Sequence, residues 1–242
     1  MNIGEEMLAA GAEIHRVEDS MNRILTSLGA SRVDTFIITS SMVVTVHTED
    51  GGVHTETRRI VSTGTDFERL HLLNSLSRRI CSGEVDAEEI DAELGRARAA
   101  KTYPIWVEYL CYALIAGAFT LFFGGNIFQA LFSLGVGIAV RFSLYLCDRT
   151  VKNKIFAKFV GSLTATACAF LASYFGIPGG ADAIIIGNIM TLIPGIGLTN
   201  ALRDIFTGDS ITGILRCIEA LLAALAIAAG YFVLAVLTGG GV

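Results

Sequence analysis

Charge is scarce in this chain. Asp, Glu, Lys and Arg make up 17% of its 242 residues, against about 25% in a soluble globular domain. The scarcity is uneven. Residues 1–103 hold 17 acidic and 11 basic side chains and all four histidines; residues 104–242 hold 6 acidic and 7 basic ones. The formal net charge of −5 is therefore −6 in the first part and +1 in the second. Neither part is basic enough to hold nucleic acid through its phosphates. No Gly-x-x-x-x-Gly-Lys-Ser/Thr loop is present, so nothing resembles a nucleotide-binding loop. Cys81, Cys111, Cys147, Cys168 and Cys217 show no Cys-x-x-Cys and no histidine-linked spacing. Four of them lie in apolar segments, where cysteine is most often a small buried hydrophobe. The first residues lack the basic-then-apolar layout of a secretory signal.

Apolar side chains fill the remainder, at 52% of the chain and a mean hydropathy of +0.59. The charge split then reads as an acidic α+β domain over 1–103 followed by a transmembrane domain over 104–242. In the first part, Ile3, Met7, Ala10, Ile14, Val17, Met21, Ile24 and Leu28 alternate in steps of four and three. That seam predicts one helix over 2–28, packed along its length against something, a second subunit included. Gly29 is a natural terminator. "DTFIITS" and "SMVVTVHTEDGGVHTETRRI" predict strands, the last two a hairpin closed near Asp50-Gly51. Helices are expected over 66–81 and 86–99. Within "GAEIHRVEDSM" (11–21), Glu13, His15, Arg16 and Glu18 flank the seam. His15 and Glu18 are one turn apart and could share a proton or a metal; the plainer alternative is a solvated or interface face. No metal, cofactor or catalytic site is expected from them.

The second part holds five apolar segments, at 105–123, 127–147, 155–175, 183–198 and 218–238. A helix needs about 20 residues to cross the hydrocarbon core. The fourth, "AIIIGNIMTLIPGIGL", is short and interrupted by Asn188, Thr191 and Pro194-Gly195, which predicts a broken helix. The links at 123–127 and 176–182 are almost free of charge. The link at 148–154 carries Arg149, Lys152 and Lys154, and Arg96, Arg98 and Lys101 precede the first span. Basic loops stay in the cytoplasm. The expectation is therefore a bacterial inner-membrane protein with a cytoplasmic N-terminal domain and, after five spans, an outside C-terminus. An odd number of spans suits a two-subunit machine built from inverted repeats. The Ala- and Gly-rich last segment suits close helix contact.

The fourth span leads into "LIPGIGLTNALRDIFTGDSITGILRCIEALLAALAIAAG" (192–230), where Asn200, Arg203, Asp204, Asp209, Arg216 and Glu219 crowd an apolar neighbourhood. Irregular backbone at membrane depth is tolerated only inside protein or beside a wet cavity. Buried charge there costs about 2.5–3.5 kcal/mol per group at mid-membrane. An ion pair between Arg216 and Glu219 reaching the interface is the modest alternative; a transport pathway explains the whole cluster. Asn188, Thr191, Pro194, Asn200, Arg203, Asp204, Asp209, Arg216 and Glu219 are thus the candidates for substrate binding or ion coupling.

This long polar-in-apolar string resembles the signature of the bacterial threonine/serine exporter family. "AGAEIHRVEDSM" resembles that family's N-terminal motif, and the resemblance runs through the whole chain in order. It implies export of threonine and serine, or of dicarboxylates such as succinate. It also implies a split form, in which a chain of this size works with a smaller five-span partner. Glu13, His15, Arg16 and Glu18 are the positions matching the N-terminal motif. The expected function is a secondary exporter subunit for small polar metabolites, coupled to an ion, the proton first, and working with that partner or as a homo-oligomer. The alternative is a membrane-anchored hydrolase or sensor acting through the N-terminal domain.

Overall fold

A computed structural model describes residues 1–61, 64–86, 88–100 and 103–238. Lys101, counted above among the basic residues before the first span, lies outside the described residues. The chain divides into two compact units. One comprises Met1–Thr102 and Ile196–Cys217, the other Tyr103–Gly195 and Ile218–Val242.

The first unit opens with α1 (Asn2–Ala9) and α2 (Ile14–Ser27), followed by β1 (Ala30–Ile38), β2 (Ser41–Thr48), β3 (Val53–Arg59), α3 (Phe67–Cys81) and α4 (Ile90–Arg98). The single helix expected over 2–28 is therefore two. The chain turns at Gly11, whose φ of 92° is left-handed backbone. A Cβ there would lie 2.5 Å from the Gly64 carbonyl oxygen, so only glycine fits. The Gly64 N–H donates to the Ala9 carbonyl (2.8 Å) and the Asp66 N–H to the Ala10 carbonyl (3.0 Å), satisfying the open end of α1.

The seam itself is real. Ile3, Met7, Ala10, Ile14, Val17, Met21 and Ile24 are all buried, but against Ile37, Met42, Val44, Leu73, Leu76, Ile80 and Leu94 of their own unit. It is a core, which corrects the expectation of a subunit contact; only Leu28 at its end is exposed. The strands form an antiparallel sheet in the order β1-β2-β3. The hairpin turn falls where expected, with Gly51 at φ 86°. α3 starts where Asp66 accepts the Arg69 N–H at 2.9 Å, a side-chain cap that the sequence announces.

The second unit contains α5 (Ile105–Phe122), α6 (Ile127–Thr150), α7 (Lys154–Tyr174) and α8 (Asp182–Ile189). The chain continues through α9 (Gly195–Thr207) and α10 (Ser210–Leu237). Ile196–Cys217, hence nearly all of α9 and the first turns of α10, counts with the first unit. Among the described residues four helices, α5, α6, α7 and α10, are long and apolar enough to cross a membrane. Their burial pattern is the reverse of a water-soluble bundle. Many of the buried positions are small, among them Ala113, Ala116, Gly117, Ala130, Gly137, Ala165 and Ala169, while Leu114, Phe128, Leu131, Phe142, Leu221 and Leu225 are exposed. Small residues inside and large apolar ones outside is the arrangement lipid favours, since lipid removes the drive to hide large side chains.

The segment expected as the fourth, broken span of five forms α8, an irregular stretch over 190–194 and the start of α9. The eight residues of α8 fall short of the about 20 a lone helix needs to cross.

Candidate functional site

Within the first unit, the two stretches singled out in the sequence meet. The α1–α2 link ends at Ala12 and Glu13, and Glu13 is the N-cap residue of α2. Its side chain makes no capping bond there and pairs instead with Arg203 of α9, 190 residues away. One residue earlier, the Ala12 carbonyl accepts from Arg216 Nη2 at 3.3 Å. Arg216 Nη1 donates to Asp204 Oδ2 at 2.6 Å. Two arginines thus grip two consecutive residues of the same link, and α9 and α10 are held to it together.

The two ion pairs differ in setting. The Asp204 side chain is 2% exposed and that of Arg216 14%. Arg203 is 62% exposed and Glu13 22%. A buried pair forfeits the hydration of both ions and depends on good geometry; a pair open to water is worth little and exchanges easily. Burial pushes the Asp204 carboxyl above the ordinary carboxylate range. Arg216 opposes that rise, and the negative charges of Asp209 and Glu13 add to it. Glu18, further along α2, is also raised, first by burial and then by Asp209; the Ile37 N–H and His15 pull the other way. Asp209 therefore acts on both carboxyls. It sits at the turn where Gly208 is left-handed and the Asp209 N–H donates to the Asp204 carbonyl at 2.9 Å. His15 and Arg16 are exposed, and Asn200 is half-buried on α9.

The remaining candidates lie in the second unit. Asn188 is fully buried on α8. Its Nδ2 donates to the Ile184 carbonyl at 2.9 Å, and its Oδ1 has no partner among the described residues. Thr191 Oγ1 donates to the Asn188 carbonyl at 2.7 Å. Pro194 is half-buried at the end of the irregular stretch, where its missing N–H stops the helical ladder. In the same stretch the Leu192 carbonyl accepts from Lys158 Nζ of α7 at 2.8 Å. Glu219 is exposed on α10, and the partner of Arg216 is Asp204, not Glu219.

One further ion pair, Glu108–Arg141 between α5 and α6, was passed over. Its sequence signal was available: a lone arginine in "VGIAVRFSLYL" and a lone glutamate in "IWVEYLCYAL". No group of three or more His, Cys, Asp and Glu suited to a metal occurs among the described residues.

Comparison with known proteins converges on one family. The family described as "Putative threonine/serine exporter" matches residues 1–238. A threonine/serine exporter of Corynebacterium glutamicum is 28% identical over 173 residues, covering 69% of this chain and 35% of that protein. The "Probable succinate transporter subunit YjjP" of Klebsiella aerogenes is 25% identical over 231 residues, 93% of this chain and 86% of the relative. Its namesake in Escherichia coli is 23% identical over the same length. The chain thus spans about a third of the first relative (35%) and most of the other two (86% and 87%). No solved structure matches. Apolar spans, the joined charge cluster and a match running through 238 residues lead to one conclusion: this chain is a multi-pass membrane protein and belongs to the threonine/serine exporter family.

Proposed function

We propose that this chain is one subunit of a secondary exporter that moves small polar metabolites out of the cytoplasm. The substrates are threonine- or serine-type amino acids, or dicarboxylates such as succinate, the cargoes in the names of its relatives. The observation that carries the reading is the contrast between the two arginine pairs. Arg203 is open to water and held by a carboxylate that another carboxylate can replace, so it suits capture of the substrate's acidic group. Asp204 is buried against Arg216 and takes up a proton more readily than an ordinary aspartate, so it suits proton coupling. Asp209 and Glu219 are the rival coupling groups. Asn200 and, at the helix break, Asn188, Thr191 and Pro194 complete the candidate path. The soluble part gates this path through Glu13, His15, Arg16 and Glu18. A smaller five-span subunit completes the machine, a reading supported by the word "subunit" in the relatives' names; a second copy of the chain is the alternative.

Parity supports five crossings. Ile196–Cys217 belongs to the same compact unit as residues 1–102, and one folded unit lies on one side of a membrane. Three long spans, α5 to α7, deliver the chain to the opposite side. The stretch from α8 to Pro194 must then bring it back, as a broken helix shielded by its neighbours. α10 crosses last and leaves the C-terminus outside. The domain division at 103/104 remains our reading of the linear chain, with the 196–217 stretch joining the first domain in space.

Efflux of L-threonine and succinate from proteoliposomes loaded with each, with and without a proton gradient, tests the reading. Asp204→Asn should leave exchange of substrate but remove its response to the gradient. Gradient-independent efflux by the parent chain would end the coupling assignment. No efflux of either compound, with or without the partner subunit, would end the exporter reading. The hydrolase or sensor alternative requires an assay on the full chain, because 196–217 is part of the same folded unit.

A further inference from the structure

The Glu108–Arg141 pair belongs to the second unit, whereas the cluster described above belongs to the first, and none of the candidate roles uses the pair. Arg141 sits in the middle of an apolar run of α6, nine residues before its last residue, Thr150. An ionisable group inside a span is expensive and seldom kept for packing alone. The details of the pair are uneven in three respects.

First, Arg141 Nε (2.8 Å) and Nη2 both donate to the same oxygen, Glu108 Oε2. A guanidinium and a carboxylate usually meet fork to fork through two oxygens. Here Nη1 keeps its protons without a partner among the described residues. Second, the Arg141 side chain is 14% exposed and Glu108 43%, so the arginine is the fixed member and the glutamate the displaceable one. Third, the guanidinium carbon lies 6.0 Å from the Tyr109 ring centre and 5.9 Å from that of Tyr112. Aromatic faces at about 6 Å hold a cation whether or not a carboxylate is present. α6 is pressed onto α5 beside this cage, since a Cβ on Gly137 would lie 2.5 Å from the Tyr112 carbonyl oxygen. The frame is tight and the acidic occupant loose.

We infer that Arg141, framed by Tyr109 and Tyr112, is a carboxylate-binding station inside the membrane domain, and that Glu108 is the internal carboxylate which the exported compound's carboxylate displaces. The inference rests on the exporter reading for its substrate class but not for its geometry. Charge is conserved in the exchange: the guanidinium trades one carboxylate for another, and Glu108, in the first turn of α5, turns toward that helix end, where charge costs less than at mid-membrane. The ligand class is a small carboxylic acid with a second polar group, as an amino acid or a dicarboxylate.

Calorimetric titration of the detergent-purified full chain with L-threonine and with succinate reads binding directly. Efflux from proteoliposomes reads transport separately. Glu108→Gln leaves the arginine in place without its competitor, and should tighten binding of at least one probe several-fold. Arg141→Gln should weaken it by about tenfold or more, the loss expected for a charge-assisted contact. The charge-reversed double variant, Glu108→Arg with Arg141→Glu, should recover neither binding nor efflux. Recovery by the reversed pair would make Glu108–Arg141 a strut between helices and overturn the inference. So would unchanged affinity in Glu108→Gln, which needs no cavity or new charge and should fold, or a parent chain that binds neither probe. A parent that binds a probe but exports nothing leaves the station intact and removes the exporter reading instead. The probe that responds distinguishes amino acid from dicarboxylate.

Discussion

Asp204 and Arg216 stand or fall together. Asp204 is buried and Arg216 largely so, and each would be an uncompensated charge without the other. Removing one partner of a buried pair costs about 3–5 kcal/mol, because the remaining ion keeps its desolvation penalty and loses its counter-charge. An exposed pair such as Glu13–Arg203 contributes about 0–1 kcal/mol. Arg216→Ala should therefore lower the thermal unfolding midpoint of the detergent-purified chain far more than Arg203→Ala. Arg216 also satisfies the Ala12 carbonyl, which adds to the difference. Equal losses from the two variants would mean that the buried pair is no more than a surface contact. A large efflux defect in Arg203→Ala with an unchanged midpoint is the signature expected of a substrate contact.

At the scale of elements, much was legible and the failures have physical reasons. α3, the β2–β3 hairpin and the four long spans lie close to where periodicity, the Asp66 cap, Gly51 and hydropathy put them. The bend at Gly11 was missed because the apolar seam keeps its phase through it: Ala10 and Ile14 continue the series although the chain turns between them. The positive φ of a glycine leaves no mark on a hydrophobic pattern. The charged candidates at 11–18 and 200–216 were each visible as residues out of keeping with their surroundings. Their union through Glu13–Arg203 and Arg216–Ala12 was not, since nothing in one sequence pairs residues 190 positions apart. Arg216 was matched with Glu219 because helical spacing is the one proximity that a sequence displays. The close approach of α5 and α6 was equally hidden, and it makes a prediction with a built-in control. Gly137→Ala would drive a Cβ into the Tyr112 carbonyl, whereas a Cβ on Gly135 meets nothing within 4 Å. Overpacking of this kind costs about 1–3 kcal/mol, while alanine in an open helical position is favoured over glycine by up to about 1 kcal/mol. The two substitutions, two residues apart, should shift the unfolding midpoint in opposite directions. A loss in both would indicate that α6 tolerates no side chain on either face and that the close approach to Tyr112 is not the cause.

At the scale of the whole molecule, the count of crossings decides which surfaces the cytoplasm can reach. In the proposed topology the basic link between α6 and α7 is cytoplasmic, and the first unit, two crossings earlier, shares its side. Four crossings would return the C-terminus to the cytoplasm; five, with the α8 segment completing the broken one, place it outside. Parity is thus an observable, independent of any view of how a short broken helix traverses lipid. Cys81 is exposed on α3 of the first unit, and a cysteine placed after Val242 in a chain with its other cysteines replaced by alanine or serine reports the far end. In a parallel chain keeping Cys81 alone, a membrane-impermeant maleimide should label nothing in intact spheroplasts and everything after lysis. The added C-terminal cysteine should be labelled without lysis. Protection of both cysteines until lysis would mean an even number of crossings. The stretch 182–195 would then dip in and out on one side, and Ile196–Cys217 could not share a side with residues 1–102. Because that shared membership is what brings Arg203 to Glu13 and Arg216 to Ala12, the same result would dissolve the candidate site.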